Sequence, residues 1–323
     1  MRQLIVNADD FGLTQAVSKG ILDAHNEGIV TSASLMANGS AFDTAVSISR
    51  RTPELGIGVH LNLTAGTPVS TDLRIRSLVD HTGRMHFSVS RLLQAIVLRR
   101  VDLAHVETEL RSQISKVVSA GILPTHLDGH KHVHLLPGVS DIVIRLAQEF
   151  SIRSIRCPHE VAPDLRTLLR CSDSRSAVIK QHLVARAVSV FARAFEKKLA
   201  KARLLFPDHF YGLSETGFLH TRGILGIVGA LPEGVSELMC HPGYLDDDLV
   251  NAGTRLLAQR EAEMRALTAP TVKTLVAERG IQLVSYRELG TNAAEATPVL
   301  QRVTTGSAAT LRELNEQGAL YDE

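Results

Sequence analysis

The feature that most constrains this chain is an alternation. Short apolar runs, each closed by polar or glycine-containing residues, are followed repeatedly by stretches with helical periodicity. Leu4-Ile5-Val6 runs into Asn7-Ala8-Asp9-Asp10-Phe11-Gly12, and Thr14 then caps a stretch with Val17, Ile21, Leu22 and Ala24 spaced for one face. Buried strands alternating with capped helices predict a parallel α/β sheet. The same reading places strands at 28–36, 56–63, the His-rich 124–137, 151–157, 236–240 and 281–286. It places helices at 41–50, 88–100, 101–120, 138–150, 174–205, 224–230, 255–267 and 271–279. Residues 64–87 and 208–217 read as loops, the first long enough to serve as a lid. About seven parallel strands in this order predict a distorted (β/α) barrel as one domain over 1–290. A doubly wound sheet is the alternative, but no GxGxxG fingerprint follows the first strand.

Composition narrows the function. Apolar residues make up 44%, enough for a full core, and the net charge of +1 gives no global attraction to nucleic acid. Trp is absent and aromatics are 4%, so stacking platforms for single-stranded nucleic acid are not expected. The 3 cysteines show no CxxC spacing, which indicates neither a disulfide framework nor a Cys-rich zinc site. No apolar run is long enough to span a bilayer and no signal-peptide profile is present, so the expected location is cytoplasmic. From Thr291 the composition shifts, and 291–323 reads as a flexible tail.

The chemistry gathers at the carboxyl ends of the expected strands, where α/β folds place their sites. Those ends carry Asp9, Asp10, His60, Asp128, His130, Arg156 and His241. If the strand of the His-rich segment continues, His126, Asp128, His130, His132 and His134 share one face. One carboxylate with two imidazoles is a common open metal site. A second carboxylate can then serve as general base, a histidine as general acid, and an Arg can keep the base ionised. This inventory suits metal-assisted hydrolysis of an amide or ester. No Gly-x-Ser-x-Gly elbow competes with it.

Four motifs in order resemble the YdjC-like carbohydrate deacetylases. They are Asn7-Ala8-Asp9-Asp10-Phe11-Gly12, Gly58-Val59-His60, Pro124 to His134, and Cys240-His241-Pro242-Gly243. The resemblance spans Arg2 to about Leu289 and implies a barrel of polysaccharide-deacetylase type that removes an N-acetyl group from an amino sugar. It implies that Asp10, His60 and His130 bind one divalent metal, magnesium or zinc. It makes Asp9 the general base, His241 the general acid, and Arg156 the residue that orients Asp9. His126 is a rival ligand, because His126 and His130 have the His-x-x-x-His spacing of the related polysaccharide deacetylases. Asp128 is expected to hold a histidine tautomer. Gly129 and Lys131 differ from the residues of the chitobiose-utilisation enzyme, which leaves the sugar open.

The stretch 174–205 stands apart. Val184, Val188, Phe191 and Phe195 are spaced for one stripe, while Arg186, Arg193, Lys197, Lys198, Lys201 and Arg203 cover much of the remainder. Packing with a solvated basic face is one reading, and a helix on an anionic membrane surface is the other. This helix and Phe210 to Gly217 resemble the hopanoid-biosynthesis-associated subgroup. That resemblance implies a lipid-linked N-acetylglucosaminyl substrate met at the inner face of the membrane. A homodimer is left open, and a nucleic-acid partner is not expected.

Overall fold

Strand β1 (Arg2–Phe11) is the axis of the molecule. From Leu4 onward it is buried throughout, as a central parallel strand covered on both faces must be. A computed structural model describes residues 1–72, 75–160 and 175–289. The tail expected from 291 lies outside these residues, as does Ser174. Met1–Leu289 forms one compact unit.

After β1 the chain runs through α1 (Gln15–Asn26), β2 (Ser32–Leu35), α2 (Phe42–Arg51) and β3 (Gly56–Leu61). Then come α3 (Val89–Val97), α4 (Leu103–Ser119), β4 (Leu127–Gly129) and α5 (Val139–Glu149). The second half holds α6 (Arg175–Lys201), β5 (His209–Tyr211), α7 (Thr221–Gly229) and β6 (Gly234–Cys240). It ends with α8 (Asp247–Asn251), α9 (Ala258–Leu267), α10 (Pro270–Glu278) and β7 (Gln282–Leu283). All ladders are parallel, in the order β4-β3-β2-β1-β6-β5, with β7 on the first half of β1. Beyond β4, single bridges join Leu127 to Ile155 and Ser154 to Leu205. Leu205 lies four residues before β5, so the two sheet edges are drawn together by a short piece of chain. The α/β fold is therefore observed as a half-barrel of parallel strands, its two edges linked through these bridges and the chain from Leu205 to β5 rather than by a continuous ladder.

The helices follow their sequence. The Thr14 hydroxyl accepts from the Val17 N–H at 3.2 Å, and α1 buries Val17, Ile21 and Ala24 against the sheet. Asp102 caps α4, which buries Val106, Leu110, Ile114 and Val117.

Three strand expectations are corrected. Residues 151–157 make only the isolated bridges at 154 and 155, because their neighbours on both sides are themselves a few residues long. His209–Tyr211, read as loop, is instead an edge strand. The His-rich strand also stops at Gly129 and a 3-10 turn takes over from His130 to Leu135. Lys131 and His132 there adopt φ of 53° and 59°, a left-handed step that breaks the alternation expected as far as His134.

Candidate metal and catalytic centre

The site begins with an irregularity in β1. Adjacent residues of a strand point to opposite faces, so Asp9 and Asp10 could not both serve one site from a regular strand. Asn7 and Ala8 pair with Ser32 and Ala33, but the next pair is Phe11 with Leu35. Three steps on β1 therefore match two on β2, which is a bulge. Asp10 takes φ 67° at this bulge, and its carboxylate turns into the same cavity as that of Asp9.

The two acids then separate in role. Asp10 Oδ1 lies 2.9 Å from His130 Nδ1 and 3.5 Å from His60 Nε2, while Asp10 Oδ2 accepts from Arg260 Nη2 at 2.5 Å. Asp9 instead receives both arms of the Arg156 fork at 2.7 and 2.8 Å, and the amide of Asn7 at 3.0 Å. Asp9 Oδ2 stands 4.0 Å from His60 Nε2 and 3.9 Å from His241 Nε2. Burial works to raise the pKa of Asp9, but Arg156 and then His60 outweigh it and hold the carboxyl below its usual range. Burial likewise works to raise the pKa of Asp10, but Arg260 and then His130 outweigh it and hold the carboxyl well below its usual range.

His60, one residue before the end of β3, lies beside Asp128, its register partner on β4. Its Nδ1 donates to Asp128 Oδ1 at 2.8 Å, which leaves Nε2 facing Asp10. Burial pulls the His60 pKa down, yet Asp128 and Asp9 outweigh it and raise it to about 10. The space between these acids thus draws positive charge. Asp10, His60 and His130 each offer one ligand atom, all within 4.8 Å of one another, and Asp9, His60 and Asp128 form a second such group.

His126 is in neither group. The Ser34 hydroxyl donates to Asp128 Oδ2 at 2.7 Å and accepts from the amide of Asn7 at 2.8 Å. Its one hydrogen is then spent, so His126 Nε2, 3.1 Å away, is the donor to it, and His126 Nδ1 accepts from Thr125 at 2.9 Å. Both nitrogens of His126 are engaged, and burial pushes its pKa down to about 3. Its ring stacks on Tyr286 at 3.8 Å, with Gly58 against the ring atoms. His134 reaches the Arg156 carbonyl at 3.2 Å, and His132 lines the cavity.

Arg156 is fully buried and holds three carboxylates: Asp9, Asp128 and, at 2.8 Å from Nε, Glu237. Burial pushes Glu237 up to about 7, against Arg156 and a hydrogen bond from the Tyr286 hydroxyl. His241 follows β6, and its backbone N–H donates to Glu263 Oε2 at 2.6 Å. Burial brings its pKa down to about 4.

The cavity above these groups has a volume of about 250 Å³. Asp9, Asp10, His60, His130 and His241 form its floor, and Lys131, Thr254 and Arg255 add polar walls. Val89, Val184, Val188, Leu213, Met239 and Leu256 supply the apolar side. No described residue of 64–87 lines it.

Arg260, Glu263, Glu237, Ser34 and the cavity-lining face of α6 were not among the residues expected at the site. Glu237 alone left a local trace, as the one charge in the buried run Ser236 to Cys240.

Fold and site together define a parallel half-barrel with a titratable cluster at the carboxyl ends of its strands. Residues 3–278 match the YdjC-like protein family, and the chain belongs to it. A carbohydrate deacetylase of Brevibacillus brevis is 36% identical over 289 residues, covering 89% of this chain and 100% of that protein. A chitooligosaccharide deacetylase of Klebsiella pneumoniae is 33% identical over 291 residues, covering 89% and 99%. The crystal structure of an Enterococcus faecalis protein named as a candidate for cellobiose-phosphate cleavage is 29% identical. It superposes with a TM-score of 0.70 over 88% of this chain and 97% of that one.

Proposed function

We propose that the chain is a carbohydrate N-deacetylase, a hydrolase that splits the C–N bond of an N-acetylglucosamine unit with one divalent cation at Asp10, His60 and His130. The observation that carries this reading is the division between adjacent acids. Asp10 turns one oxygen to two imidazoles, while Asp9 is held as a carboxylate by Arg156 and faces His241 at 3.9 Å. The names of the relatives at 36% and 33% identity support the substrate class.

The donor set fits a cation. One carboxylate and two imidazoles suit zinc better than magnesium, which prefers all-oxygen surroundings. A bound cation would supply Lewis acidity toward the acetamide carbonyl oxygen and toward water. Asp9, ionised and oriented by Arg156, takes a proton from water as its oxygen attacks the acetamide carbon. His241 has a pKa of about 4, so it is neutral at pH 7 and stores no proton of its own. We therefore route the proton from Asp9 to His241 and on to the nitrogen as the C–N bond breaks. Acetate and a free amine leave.

A lipid-linked sugar is the finer reading of the substrate. Helix α6 buries Val178, Gln181, Ala185, Ala192, Phe195 and Leu199, and the partly buried Val188 completes their alternating spacings of three and four. A second apolar stripe, with Ile179, Leu183, Val190 and Phe191, faces outward. Val184 borders both the cavity and this outer stripe, so an apolar aglycone could pass from one to the other. The exposed Lys180, Arg186, Lys197 and Lys201 suit the inner face of an anionic membrane. Among the described residues no helix is long and apolar enough to cross a membrane.

The test is acetate release from diacetylchitobiose and from an N-acetylglucosaminyl hopanoid, side by side, with and without chelator. Release from the lipid alone supports the finer reading, and release from the soluble sugar alone removes it. Chelator-insensitive release would sink the cation.

A further inference from the structure

We propose that Arg260 is a positioning residue that fixes Asp10 so that a single oxygen is presented to the cation. This rests on the cation reading above. Arg260 is fully buried on α9, and its Nη2 donates to Asp10 Oδ2 at 2.5 Å. Its Nε donates to the Leu256 carbonyl at 3.1 Å, which ties the guanidinium to the start of its own helix. Asp10 Oδ2 is thereby spent, and Oδ1 alone faces His130 and His60.

Asp10 needs such an anchor more than its neighbours do. It sits at the β1 bulge with φ 67°, in the sparsely populated left-handed region, where a side chain must be held by its surroundings. The packing around Arg260 is also built to admit it. A Cβ on Gly243 would meet Arg260 Cδ at 3.3 Å, and a Cβ on Gly20 would strike the Gly243 backbone at 2.5 Å. The His241-Pro242-Gly243 turn is thus pressed between α1 and the Arg260 stem. One helix turn further, Glu263 accepts the backbone N–H of His241 at 2.6 Å. Helix α9 therefore indexes Asp10 with one residue and the His241 turn with another.

Zinc affinity of the full chain, stripped of metal, is measured by calorimetry for wild type, Arg260→Met, Asp10→Asn and the double variant. Absorption of the cobalt-loaded proteins reports the coordination. Arg260→Met is expected to weaken binding by about 10–100-fold, as loss of an outer partner of a ligand does, and to shift the cobalt spectrum. The double variant should bind about as weakly as Asp10→Asn alone, because Arg260 acts through Asp10. Arg260→Lys, which keeps charge without the fork, should fall between wild type and Arg260→Met. If Arg260→Met does not fold, Arg260→Lys carries the same cycle with Asp10→Asn. Unchanged or tighter binding in the Arg260 variants, or fully additive losses in the cycle, would overturn the assignment. Failure of the wild type to bind any divalent cation would instead overturn the cation reading itself.

Discussion

At the scale of single residues, the site is a problem in arranging like charges. Asp9, Asp10, Asp128, Glu237 and Glu263 are all buried, and two guanidinium groups answer them. Arg156 keeps Asp9 ionised, as Arg260 does Asp10. Asp9 receives two hydrogen bonds from Arg156, so Asp9→Asn keeps a similar shape but loses the base. Turnover should fall by about 10²–10⁴-fold, the usual worth of a general base, while zinc binding remains. A rate near wild type would move the base elsewhere. Glu263 and Glu237 are the acids that burial pushes up to about 7, and Glu237 is the one beside Arg156. Its pKa rises from an ordinary 4.5 to about 7, so between these values the native state holds a proton that the unfolded chain has released. Stability therefore falls as pH rises through that window, by up to about 3 kcal/mol. Glu237→Gln cannot ionise and should lack this loss. Urea midpoints of the two proteins should agree near pH 5, and the variant should be the more stable at pH 8. A wild type equal to or above the variant at pH 8 would refute the assignment. Asp9 and Asp10 were legible in the sequence because they stand where an apolar run turns polar, and His60 because it lies toward the carboxyl end of another such run. Arg260 was not: its partner lies 250 residues away, and its helix reads locally as a charged surface.

At the scale of elements, the strands position the site and their local sequences explain only part of how. The bulge that joins Asp9 to Asp10 is a property of the β1–β2 pairing, so no reading of β1 alone contains it. Residues 151–157 carry the β-branched Ile152 and Ile155 as a strand would, yet their neighbours offer only single bridges. His209–Tyr211, at three residues, is too short to announce itself. Glycine choice in β3 shows the tertiary constraint most directly. A Cβ on Gly58 would lie 2.4 Å from His126 Cε1, and the far face of that ring is stacked on Tyr286 at 3.8 Å. The ring has nowhere to retreat. Gly58→Ala should cost about 1–3 kcal/mol of stability, the usual range for overpacking, read as a lower urea midpoint. It should also lower turnover, because His126 is joined through Ser34 to Asp128 and so to His60. An unchanged midpoint would mean that the ring is free to move.

At the scale of the whole molecule, α6 relates the site to the surroundings. The sequence suggested one apolar stripe through Val184, Val188, Phe191 and Phe195. The structure divides these residues: Phe195 is buried, Val188 is partly so, and Val184 and Phe191 are exposed. The inward seam is occupied instead by small residues such as Ala185 and Ala192, which hydropathy alone does not single out. The basic residues are divided as well. Lys198 is paired with Asp141 at 2.8 Å, and Arg193 donates to His159 at 3.0 Å. Charge available to a surface therefore comes mainly from Lys180, Arg186, Lys197 and Lys201, beside the outward Ile179, Leu183, Val190 and Phe191. Each such cation is worth about 1 kcal/mol near an anionic bilayer, and that attraction decays within a Debye length. Vesicles of phosphatidylglycerol and phosphatidylcholine should therefore sediment the protein at low salt and release much of it at high salt. Ile179→Asp with Leu183→Asp places two acids on the outward stripe, where they lose apolar burial and meet anionic lipid. That variant should stay in the supernatant while keeping the wild-type urea midpoint, since both side chains are exposed. Equal sedimentation of the two proteins would show that the outward stripe does not touch lipid. Absence of sedimentation in the wild type would return α6 to the single task of walling the cavity.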